Sequence, residues 1–189
     1  MDVGLIILIV TLVAFAAMIT FMLATGFKNQ WPAGERVEST YKGHKLTLIT
    51  GPETKTDSLP WDKVASHFVR AMWATSAAFE EVKEGDPKKL AEGAVLVLSE
   101  EEYEDRAGPF LQSSVSFQVT VPRRIGHGPL LVVMRASLVE HAVKTGEPII
   151  HEFIHGIGGD YYHKDETWWN EFTTAPDSVQ ARAQSLYRD

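Results

Sequence analysis

Between residues 3 and 27 the chain carries no charged side chain: VGLIILIVTLVAFAAMITFMLATGF. As a helix these 25 residues span roughly 37 Å at about 1.5 Å per residue, and a bilayer core of about 30 Å needs about 20 residues. The run is apolar on every face, unlike a core helix of a small domain. It predicts one transmembrane anchor over residues 1–27. A cleaved signal peptide is the rival, because Ala24-Thr25-Gly26 has the composition of a cleavage site. The run is long for such a peptide, however, and its leading charge is the acidic Asp2. No Lys or Arg precedes the span, whereas Lys28, Arg36, Lys42 and Lys45 follow it. The positive-inside rule therefore favours a single-pass membrane protein with its C-terminal domain in the cytoplasm.

Residues 28–43 (KNQWPAGERVESTYKG) are polar and read as a juxtamembrane linker, with Trp31 suited to the membrane interface. Residues 44–189 then show regular patterning. HKLTLIT, from His44, alternates as a strand does. Trp61, Val64, Ala65, Phe68, Val69, Met72, Trp73 and Phe79 recur at helical spacing, with Ser76 on the same face. They predict a long helix to about Glu84, entered through Pro60. His67 falls off the stripe and reads as solvated. AVLVLS (94–99) reads as a central strand. Ser99 and Glu102 have capping-box spacing ahead of an acidic helix that Gly108-Pro109 should stop. SVSFQVTV (114–121) alternates strictly, as an edge strand does. LLVVMR (130–135) reads as a buried strand, and Ser137 and Glu140 make a second capping-box spacing before a helix ending at Gly146. Pro148 should lie in the first turn of the helix that follows. The order of elements is α+β, a small mixed sheet packed on helices.

Composition trims the options. The net charge is −7 and the basic residues are dispersed, so the chain lacks the concentrated cationic face that nucleic acid requires. There is no cysteine, which removes disulfides, thiolate chemistry and cysteine-bound zinc.

The chemistry concentrates in HEFIHGIGGDYYH, residues 151–163. Positions i and i+4 of a helix share a face, so His151 and His155 can aim two imidazoles at one point. Zinc takes neutral imidazole nitrogens at about 2.0–2.1 Å, and catalytic sites keep a position open beside three protein ligands. Glu152 stands where a general base for the metal's water belongs, in the H-E-x-x-H arrangement. Ile149, Ile150, Phe153, Ile154 and Ile157 supply a buried face for the helix, and Gly158-Gly159 ends it in a turn. A third ligand must return from beyond that turn. His163 is the first candidate, since it completes a three-histidine site. Asp160 and Glu171 are the alternatives, Asp160 also as a partner that orients a histidine. Tyr161, Tyr162 and His127 are candidates for stabilising an oxyanion. His44 and His141 read as structural or exposed.

At these residues the chain resembles the zincin superfamily of zinc metallopeptidases. The resemblance rests on His151-Glu152-Phe153-Ile154-His155 and the turn after it. It implies a motif helix beneath a small sheet whose edge strand runs alongside the substrate, and 114–121 is the candidate for that strand. The subgroup differs from the metzincins. Gly158 matches their glycine, but Tyr161 stands where their third ligand falls, and no methionine follows Met134. Asn170-Glu171 is similar to the pair that gluzincins use, at short spacing.

The expectation is therefore a membrane-anchored, zinc-dependent peptidase acting on a protein or peptide substrate. Zinc would be held by His151, His155 and His163, with Glu152 moving the proton from water to the leaving amine. The alternative is a non-catalytic zinc-binding module, an inactive zincin tethered to the membrane. An intramembrane protease is excluded, because the motif lies outside the one apolar span.

Overall fold

The computed structural model describes residues 34–55, 59–82, 90–111, 116–120, 130–158 and 178–189. The expected span over 1–27, and Trp31 after it, lie outside these residues. Among the described residues no helix is long and apolar enough to cross a membrane.

Among the described residues, five strands form one mixed sheet: β1 (Arg36–Tyr41), β2 (His44–Thr50), β3 (Glu92–Leu98), β4 (Ser116–Thr120) and β5 (Leu130–Arg135). Their spatial order is β1-β2-β3-β5-β4. β2, β3 and β5 run parallel, and the outer strands β1 and β4 are each antiparallel to their neighbour. Parallel neighbours need a crossover. The first is helix α1 (Trp61–Val82), which joins β2 to β3. Helix α2 (Glu100–Leu111) follows β3, and α3 (Val139–Thr145), α4 (Ile149–Gly158) and α5 (Val179–Arg188) follow the sheet.

Strand alternation divides the core between the two faces of the sheet. Leu46, Leu48, Val95, Val97, Val132 and Met134 join one cluster with the buried faces of α1, α3, α4 and α5. On the other face Leu96, Leu98 and Val133 are buried, and α2 packs against β3 and β5 there. The stripe on α1 is buried as its spacing requires, from Trp61 through Phe79, with Ser76 included and Trp73 only partly covered.

Several expectations need correction. Arg36–Tyr41 falls inside the expected linker, yet it pairs along its whole length with β2. A two-residue loop makes this hairpin. Lys42 (φ 45°) and Gly43 (φ 84°) both take positive φ, as a loop matching the strand twist requires. α2 runs through Gly108-Pro109 to Leu111; proline removes one donor, and the helix ends within two residues. The pair Ser99 and Glu102 forms the expected capping box, with reciprocal bonds of 3.0 and 3.2 Å. Ser137 does not cap α3. It lies in a 3-10 turn and donates instead to Glu100 at 2.5 Å. Gly146 ends α3 in the left-handed conformation, as expected. Pro148 sits one residue before α4 and accepts the N–H of Glu152 at 3.1 Å.

Candidate metal centre

Helix α4 carries the motif, and its own pattern fixes which way it faces. Ile149, Ile150, Phe153, Ile154 and Ile157 are all at most 1% exposed and join the main cluster. Burying each such side chain contributes about 1.5–3 kcal/mol, so this face locks the helix rotation. His151 and His155 are left half-buried beside it.

Their Nε2 atoms approach to 3.2 Å, with ring centroids 4.9 Å apart and planes at 76°. Two nitrogens at about 2.0–2.1 Å from one zinc, subtending a tetrahedral angle, are about 3.3–3.4 Å apart. The observed spacing fits that requirement within the tolerance of about 0.2 Å expected of a real site. Two imidazole lone pairs this close repel unless a positive centre lies between them. A shared proton is one such centre and a metal ion is another.

Glu152 lies between the two histidines in sequence and is 6% exposed. It is the one buried charged residue among the described residues. Carboxylates are rarely buried, because the charged form must be compensated. Its charge reaches Tyr103 on α2. The Tyr103 phenol is pushed up to about 12, first by burial; Arg135 opposes this, and Glu152 and Glu100 add to it. The Arg135 guanidinium lies 4.5 Å from the centre of that ring and pairs with Glu100. Sequence patterning gave no signal for this pairing of Tyr103 on α2 with Arg135 on β5.

β4 is an outer strand of the sheet, and α4 packs against it. The expected edge strand is therefore an edge strand, antiparallel to β5, next to the motif helix. Its described extent is Ser116–Thr120. By register Gln118 pairs with Val132 and Ser116 with Met134.

His163, Asp160, Glu171, Tyr161, Tyr162 and His127 lie outside the described residues. Among the described residues no group of three or more His, Asp or Glu side chains gathers as a metal site would. Three other histidines are described. His44 Nδ1 lies 3.2 Å from the Lys42 carbonyl, and His141 is exposed. His67, expected in solvent, is half-buried and bonded to Tyr187 at 3.0 Å, because α5 covers that side of α1. No protein-family profile, characterised protein or solved structure matches this chain.

Proposed function

We propose that the protein is a zinc-dependent peptidase whose metal is held by His151 and His155, with Glu152 as the general base. The observation that carries this reading is the 3.2 Å approach of the two Nε2 atoms beside a buried glutamate. His163, Asp160 and Glu171 are the candidates for the third ligand. A zinc ion there supplies a Lewis acid that acidifies water and polarises the scissile carbonyl.

The residues of the chain do the rest. The two imidazoles, held one helical turn apart, fix where the reacting carbonyl must sit. Glu152 accepts a proton at its carboxylate as water attacks, and passes it to the leaving amine. Low exposure keeps bulk water from competing for that proton. An extended peptide can add to the outer edge of β4, where main-chain groups give affinity and alternate side chains give specificity. The apolar stretch before residue 28 would tether this chemistry to a membrane.

The test is Glu152→Gln in the full chain, assayed against a fluorogenic peptide library. Zinc stoichiometry should persist, while hydrolysis falls by roughly 10²–10⁴-fold, the usual worth of a general base. Undiminished hydrolysis would sink the assigned role. Stoichiometric zinc with an inert wild type would favour the non-catalytic module.

A further inference from the structure

The start of α4 is gripped by the C-terminal helix α5. Glu147 is the residue one turn before His151, in the short elbow between α3 and α4. Its Oε1 accepts from Gln180 Nε2 at 2.8 Å and also from Gln184 Nε2. Gln180 and Gln184 are one turn apart on α5, so a single face of that helix presents both amides. Glu147 is fixed from its own side as well, since its N–H donates to Thr145 Oγ1 at 3.0 Å.

A second set of contacts closes the same elbow one turn further along α5. The Tyr187 hydroxyl donates to the Val143 carbonyl on α3 at 2.5 Å and stands 3.0 Å from His67 Nδ1 on α1. Because that proton is committed to Val143, His67 is the donor in the second contact. The elbow carbonyls are themselves the first acceptors of α4. Gly146 accepts from Ile150 at 2.9 Å and Pro148 from Glu152 at 3.1 Å. A shift of the elbow therefore turns the first turn of α4, the turn that carries His151 and Glu152.

We propose that Glu147 is a positioning residue. Through Gln180 and Gln184 it couples the docking of α5 to the setting of the motif helix, so the site's metal affinity depends on the C-terminal helix. This rests on the zinc reading above. Glu147 touches no reacting atom; it acts through the elbow. Any event that frees α5, such as removal of the last turns or a partner that binds them, would weaken the metal site without touching a ligand.

Zinc titration of the full chain against a competing chelator tests this. The Gln180→Leu/Gln184→Leu double variant should bind zinc roughly tenfold more weakly, the lower end of what groups bonded directly to metal ligands contribute. Glu147→Ala should match it, and Glu147→Gln, which keeps an acceptor oxygen, should recover most of the affinity. Arg182→Ala is the control. It breaks an exposed pair between α5 and Glu81 of α1 and leaves Glu147 untouched, so its zinc affinity should equal that of the wild type. Wild-type affinity in both the double variant and Glu147→Ala would overturn the coupling, as would an equal loss in Arg182→Ala, which would mark a general effect of stability. A wild type that takes up no zinc would overturn the coupling and the zinc reading together, an outcome distinct from either.

Discussion

Gly43 and Gly146 share a backbone conformation and differ in surroundings, which allows a steric cost to be isolated. Their φ values are 84° and 82°. Alanine at either position pays the left-handed penalty of about 1–2 kcal/mol, partly offset by about 0.4–1 kcal/mol from a stiffer unfolded chain. At Gly43 a Cβ would meet nothing within 4 Å. At Gly146 it would lie 2.5 Å from Ile150 Cδ1 and 3.1 Å from Tyr187 Cδ1. Both neighbours are buried, so neither can swing into solvent. Overpacking of this kind costs about 1–3 kcal/mol. Gly43→Ala should therefore lose about 1 kcal/mol in urea denaturation, and Gly146→Ala about 1–3 kcal/mol more, with unchanged m values. Equal losses would refute the claim that the elbow is closed against Ile150 and Tyr187.

Other outcomes follow from the same contacts. Ser178 caps α5 by accepting from the Ala181 N–H at 3.1 Å, so Ser178→Ala should cost about 1 kcal/mol of stability by thermal or chemical unfolding. His67 is held below its usual value by burial and then by Arg70. The unfolded chain therefore binds more protons at this position, and stability falls as the pH drops from about 6.5. Denaturation at pH 7.5 and pH 5.5 should show a drop that shrinks in His67→Gln; an unchanged drop would remove His67 from the account.

The elements whose signal is local were readable in the sequence. β2 and β5 match their predicted bounds, and all five apolar residues assigned to the buried face of α4 are buried. β1 was hidden because RVESTY has little apolar alternation and its turn is Lys-Gly rather than Asn-Gly; pairing with β2 and packing on α1 make it a strand. Ser137 had capping spacing but was drawn to Glu100, 37 residues away, and no short window records that competition. On α1 alone His67 falls off the buried stripe, whereas its neighbour Tyr187 comes from 120 residues later. For the site, the spacing of His151 and His155 was legible because one helical turn sets it. The clamp on Glu147 was not, since Gln180 and Gln184 carry no motif.

The sheet order has a consequence for where the molecule opens first. β3 is bonded on both sides, so freeing it means breaking two ladders and the core on both faces. Among the described residues β4 is held by one ladder, to β5. Local opening draws on the least-supported elements, so an outer strand such as β4 can part from the sheet without global unfolding. The strand beside the motif helix would then be among the first to exchange its amide hydrogens, and a lower opening energy would lie along the edge that the proposed peptide addition would use.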